Sequence, residues 1–267
     1  MNKNICLVLI VAAVSVIPTT AIAATYTPTQ IMSAIQPYMI PSNAINPSNP
    51  MQTSYGEGQV YIYKLPTNPV AYVYTSSGAI DCDGQATTHC NSNTDPYYQG
   101  QTSFTQSDGR PLNAELLPWY VLPETPNPIF DYATRNIYGG EAGVVLYNDK
   151  MEFGVFGDER GRDGGNSAGL AIGEISYAMA SALGIDPDPA YGGIESGVTY
   201  IVFTTEDNVV VPIESHTAAD TKGQSALDKM MTQLNPAVTP TPTPAPTTNL
   251  LKTRGLKVVV QDLTTGG

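Results

Sequence analysis

Short runs of aromatic and β-branched residues, cut apart by Pro, Gly and Asn, dominate the middle of this chain. Val60-Tyr61-Ile62-Tyr63 and Val70-Ala71-Tyr72-Val73-Tyr74 flank Pro66-Thr67-Asn68-Pro69. Such residues suit a pleated, half-buried surface, and the Pro-bounded insert marks a turn, so the pair reads as a β-hairpin. Residues 143–147 and 151–156 repeat the pattern around Asn148-Asp149-Lys150, a second hairpin signal. Residues 116–122 and 197–204 are two further strand candidates. One helix stands out. Ile175, Ala178, Met179, Ala182 and Leu183 recur at helical spacing, Gly184 stops the run, and Asp186-Pro187-Asp188-Pro189 cannot continue it. That reading puts Glu174 at or just before the first helical turn. Residues 215–234 form a more polar helix candidate, and residues 29–35 a weak one. The fold class is therefore mainly β with one or two helices.

The two ends read as separate from this unit. Asn2 and Lys3 precede an apolar run over 5–17 and then Ala21-Ile22-Ala23, the layout of a secretory signal peptide covering residues 1–23. The run is short for a membrane span, and no later segment is apolar enough to cross a bilayer. Residues 24–58 are a Pro-, Ser-, Thr- and Asn-rich N-terminal extension, and 59–234 the catalytic-size globular domain. Residues 235–249 are a Thr/Pro-rich extended linker. Residues 250–267 hold one strand candidate, 255–262; one strand cannot fold alone, so it either returns to the main domain or, the preferred reading after a Pro-rich spacer, starts a further β-domain.

Export changes how the cysteines read. Cys6 leaves with the leader, and Cys82 and Cys90 remain as a pair that bridges outside the cell. Between residues 25 and 249 there are 8 Lys and Arg against 23 Asp and Glu. This charge excludes nucleic acid as a partner and suits a cationic one. With two His, His89 and His216, and no free Cys, no zinc set is expected. Asp81-Cys82-Asp83-Gly84 lacks the remaining ligand positions of a calcium loop. No metal or other cofactor is expected.

Gly165-Asn166-Ser167-Ala168-Gly169 matches G-x-S-x-G, with acids and His216 following. That motif needs a buried strand running straight into the turn, whereas Asp158-Glu159-Arg160-Gly161-Arg162-Asp163-Gly164 precedes it here. It is read as a coincidence of a Gly-rich loop. Carboxylates are the better candidates. Asp158 follows the apolar run Gly154-Val155-Phe156-Gly157, and Glu174 precedes the apolar helix. Acids at a strand end and a helix start can face one cleft, and paired Asp/Glu across a cleft is how most glycosidases work. The competing reading makes Asp158 a turn cap and Glu174 a partner of the helix dipole. Glu159, Arg160, Arg162 and Asp163 are read as a solvated loop.

The same residues resemble a known family. Asp81-Cys82-Asp83-Gly84, Thr94-Asp95-Pro96-Tyr97-Tyr98, Gln101-Thr102-Ser103-Phe104, Ser107-Asp108-Gly109, Pro111-Leu112-Asn113-Ala114 and Leu117-Pro118 are similar to motifs of the secreted chitosanases of glycoside hydrolase family 75. So are Gly154-Val155-Phe156-Gly157-Asp158, Ile172-Gly173-Glu174 and Ser196-Gly197-Val198-Thr199-Tyr200-Ile201. The likeness runs in order over roughly 59–204. It implies a compact six-stranded, double-psi-like β-barrel core. It also implies hydrolysis of the β-1,4 bonds of chitosan with inversion, by two essential acids that fall on Asp158 and Glu174. The segment 159–173 between them is longer and more charged than the family leads one to expect. Glu174, with apolar neighbours Ile172 and Ile175, reads as general acid and Asp158 as general base, although the helix dipole opposes a neutral Glu174. Chitosan is a polycation, so Asp81, Asp83 and Asp95 are candidates to meet its ammonium groups, and Tyr97, Tyr98 and Trp119 to support sugar rings. Each also has a core or turn explanation. A monomer is expected. The alternatives are a glycanase acting on chitin or a β-glucan, and a non-catalytic polysaccharide-binding module.

Overall fold

The computed structural model describes residues 26–56, 58–161 and 170–234. The leader (1–23), the Thr/Pro-rich linker (235–249), the terminal strand candidate (255–262) and the G-x-S-x-G at 165–169 lie outside the described residues. In chain order the main elements are α1 (Pro28–Ile35), β1 (Met51–Thr53), β2 (Gln59–Val60), β3 (Tyr63–Lys64), β4 (Ala71–Asp81) and β5 (Trp119–Pro123). They continue with β6 (Ala142–Tyr147), β7 (Lys150–Arg160), β8 (Ala171–Ile172), β9 (Glu174–Ser176), α2 (Tyr177–Leu183), β10 (Ile194–Phe203) and α3 (His216–Leu234).

Six strands close on themselves in the order β10-β6-β7-β5-β9-β4, with β4 pairing back to β10. Four of the pairs are antiparallel, while β5–β7 and β4–β9 are parallel. This is the closed six-stranded barrel that the family resemblance implies. Closure leaves the barrel strands paired on both sides. Side chains alternate between two apolar clusters. Tyr72, Tyr74, Val145, Val198, Tyr200 and Val202 belong to the main one. Ala71, Val73, Val144, Leu146, Ile201 and Phe203 belong to the second, where Ala226, Leu227 and Met230 of α3 and Ile31 and Ile35 of α1 cover them. Strands buried on both faces read as nearly unbroken apolar runs, which is why 143–147 and 197–203 were so plain in the sequence. The β6–β7 hairpin turns at Asn148, whose φ of 53° is one that Asn tolerates.

Among the described residues three α-helices form, one more than the upper expectation. The weak N-terminal candidate is helical because Thr27 and Gln30 close a capping box around Pro28 at the first helical position. Residues from 26 on are therefore part of the folded body, although composition set 24–58 apart. β1 joins β2 and β8 in a small sheet of its own. The helix expected from Ile175 starts at Tyr177 instead. Ser176 takes the N-cap, its Oγ accepting from Met179 N–H while donating to Leu117 O, so Glu174 and Ile175 are strand residues. Gly184, at φ 72°, ends that helix as expected.

Candidate active site

Glycine sets the position of both central acids. β5 and β7 run parallel, and their register slips between Tyr120 and Val121, so the partner jumps from Phe156 to Asp158 and Gly157 becomes the extra residue. A bulge of this kind re-aims the next side chain. Gly157 is needed there, because a Cβ would lie 2.6 Å from Trp119. Gly173 does the same for Glu174. Its φ is 119°, and a Cβ would lie 2.4 Å from Ser76 Oγ. Its carbonyl accepts from Ser77 Oγ and from Ala79 N–H, which docks Glu174 beside Ala79 in the parallel β4–β9 pair.

Asp158 is buried and its Oδ1 accepts three hydrogen bonds: Ser103 N–H at 2.8 Å, Ser103 Oγ at 2.7 Å and its neighbour Glu159 N–H at 2.7 Å. Asp81 ends β4. Its Oδ2 accepts from Trp119 Nε1 at 2.7 Å and its Oδ1 from Asp83 N–H at 3.0 Å. Asp83 Oδ1 accepts from Gln99 N–H at 2.7 Å. Carboxylate oxygens of Asp81, Asp83 and Asp158 lie within 4.8 Å of one another. The Cys82–Cys90 disulfide forms as expected and ties down the segment that follows Asp81.

Burial and mutual repulsion hold protons on this cluster. Burial first, then the charge of Asp158, pushes the Asp81 carboxyl up to about 7. Burial, then Asp81, pushes Asp83 up to about 8. Asp158 is also raised by burial, against the opposing pull of the Ser103 donors. Three oxygen donors this close suit a hard cation or an ammonium group with its three N–H donors. Glu174 stands in different company, ion-paired with the Arg160 guanidinium at the end of β7.

A groove of about 580 Å³ joins these groups. Asp81, Asp83, Asp95, Tyr97, Asp158 and Glu174 all line it. A shallower extension past Asp158 is lined by Gln101, Ser103 and Glu124. Tyr97 stands at the rim, 86% exposed. Two of the sequence candidates are elsewhere. Trp119 is fully buried and offers its ring to no ligand, but its Nε1 holds Asp81. Tyr98 does not line the groove and donates its hydroxyl to Gly84 O at 2.6 Å. Asp95 is buried, its Oδ1 accepting from Tyr97 N–H.

Three residues of the site carry no clear signal in the sequence. A strand that stops with the apolar run at Phe156 leaves Arg160 in a solvated loop, whereas β7 continues to Arg160. A strand carried to 160 puts 158 and 160 on one face by its period of two. Ser103 sat inside a family-like motif without a role. Tyr55, which lines the groove and donates to Gly192 O, gave no local signal.

Comparison with known proteins agrees with the groove's chemistry. Residues 79–238 match the family model described as fungal chitosanase of glycosyl hydrolase group 75. The chain is 30% identical over 148 residues to endo-chitosanase B of Aspergillus oryzae, a stretch covering 53% of this chain and 60% of that protein. It is 30% identical over 144 residues to endo-chitosanase C of the same organism, covering 53% and 33%. The matched stretch thus spans between a third and three-fifths of these relatives.

Proposed function

The chain belongs to glycoside hydrolase family 75, and we propose that it is a secreted endo-chitosanase working by inversion with Asp158 and Glu174. The observation that carries the proposal is that both carboxyls line one groove together with four further acids, Asp81, Asp83, Asp95 and Glu159. A glucosammonium unit beside Asp81 and Asp83 would supply the missing counter-charge and draw their protons off. Tyr97 at the rim offers an aromatic face for a sugar ring.

In an inverting displacement one carboxylic acid protonates the leaving oxygen while a carboxylate on the other side activates water, the two being about 6.5–9.5 Å apart. Asp158 is the base in our reading. Three donors hold Oδ1 and favour the anion, leaving Oδ2 for a water. Burial raises its proton affinity and with it its strength as a base. Glu174 is then the acid, and its pairing with Arg160 must break when the sugar chain binds. The Arg160–Glu174 pair also favours a second reading, in which Glu174 is the base and Asp158 the acid. A chitosan oligomer with a good phenolic leaving group separates the two. It restores turnover only in the variant that lacks the acid, because such a leaving group needs no proton.

The test of the main proposal is incubation with chitosan, chitin and a β-glucan, following viscosity and product size. A fast fall in viscosity with mixed oligomers from chitosan alone supports it. Hydrolysis of a neutral glycan instead, or retention of chitosan without shortening, sinks it.

A further inference from the structure

Away from the groove, three residues distant in sequence converge. Glu152 comes from β7, and His216 and Asp220 come from the first turns of α3, one helical turn apart. His216 Nε2 lies 2.7 Å from Glu152 Oε1 and 3.3 Å from Asp220 Oδ1, and the three ligand atoms fall within 4.8 Å of one another. We propose that Glu152, His216 and Asp220 form a site for one first-row divalent cation, with zinc the best match, which clamps α3 to the barrel wall.

The donor set is the first reason. One imidazole and two carboxylates make a neutral complex with a dication, and three protein ligands plus water complete a tetrahedron. The geometry is the second. Ligand atoms about 2.1 Å from a tetrahedral zinc are about 3.4 Å apart, close to the 3.3 Å edge already present. The shorter edge opens by a fraction of an ångström on a small side-chain rotation. Third, two carboxylates address the same imidazole nitrogen. Nε2 carries at most one proton, which cannot bond both acids with good geometry, whereas a cation between the three atoms serves all of them. The side chains are 20–40% exposed, so water can fill the fourth position.

The scaffold holds the three residues firmly. The buried stripe of α3 runs through Ala219, Gly223, Ala226, Leu227 and Met230. Gly223 lets the helix touch the strand, since a Cβ there would lie 2.4 Å from Phe153, the neighbour of Glu152. His216 and Asp220 extend the flank of that stripe toward the helix start. Glu152 precedes Asp158 by six residues on β7, roughly 20 Å of strand, so the role is structural and does not depend on the chitosanase reading.

The experiment uses tag-free protein stripped with EDTA and dialysed. Zn²⁺ binding is measured by calorimetry, Co²⁺ binding by its visible absorption, and stability by thermal melting. The site predicts one equivalent of Zn²⁺ and a melting temperature raised by about 5–10 °C at a hundredfold excess over Kd. His216→Gln and Asp220→Asn each weaken binding at least about tenfold, while Asp83→Asn in the acidic groove leaves it unchanged. Circular dichroism checks that each variant is folded, and two independent variants guard against the loss of one. Absence of saturable binding tighter than about 1 mM overturns the proposal. So does binding that His216→Gln leaves intact or that only Asp83→Asn removes.

Discussion

In the groove, Asp81, Asp83 and Asp158 press against one another, each with N–H or O–H donors on an oxygen and an open wall beside it. Just before β6, Glu141 is fully buried, away from that groove, and burial pushes its carboxyl up to about 9. Its backbone carbonyl accepts from Tyr120 Oη and Phe156 N–H, so this position is a joint of the barrel. Both places hold carboxyls that resist ionisation, and only one has room for a ligand. A strongly perturbed carboxyl is therefore a poor guide to chemistry until it is joined to a cleft and to partners.

The sharpest way to break this contrast is by substitution. Asp158→Asn and Glu174→Gln should each lower chitosan cleavage by about 10²–10⁴-fold with folding intact, whereas Glu141→Gln should leave activity where it was. Reducing-end assays beside thermal melts check all three. An active Asp158→Asn or an inactive, folded Glu141→Gln would erase the distinction.

Stability against pH comes next in size. A carboxyl whose folded affinity for its proton is raised costs stability when it must ionise. For Glu141 that cost grows from the ordinary glutamate range up to about pH 9. The wild type should lose stability as pH rises through this window. Glu141→Gln should melt well above the wild type at pH 9 and beside it at pH 4, and equal melting at both values would contradict the buried-acid account.

Removing the Cys82–Cys90 bridge sharpens the groove side alone. The Cys82→Ser, Cys90→Ser double variant should lose about 2–3 kcal/mol of stability by freeing a short loop. It should also weaken chitosan binding, because Asp83 lies in the freed segment and is held there by Gln99 N–H from outside it. The smallest effect is in protons. Binding of a chitosan oligomer near pH 7 should release a fraction of a proton from Asp81 and Asp83, read as a buffer-dependent heat in calorimetry. Asp83→Asn should shrink it.

Much of the barrel was legible because its strands obey local rules: aromatic and β-branched runs, with an Asn at the β6–β7 turn. Helix α2 was legible from its spacing and Gly184, but its start was not, since Ser176 caps it through contacts with Leu117 and Trp119 from a distant segment. Asp158 and Glu174 drew notice as acids flanking apolar runs. Their shared groove depends on the Gly157 bulge and on Gly173 packed against Ser76, neither of which has a local signature. Trp119 illustrates the limit. Its sequence neighbourhood allowed either a sugar platform or a core residue, and closure of β5 between β7 and β9 buries it entirely.

If Asp158 and Glu174 act in one displacement on chitosan, each cleavage inverts the anomeric carbon. Time-resolved proton NMR of the first products tests it most directly, through the anomeric signal of the newly formed reducing end. Inversion at a β-1,4 bond gives the α anomer first, with the β form growing in by mutarotation. A β anomer first, or no new reducing ends from chitosan at all, would contradict it.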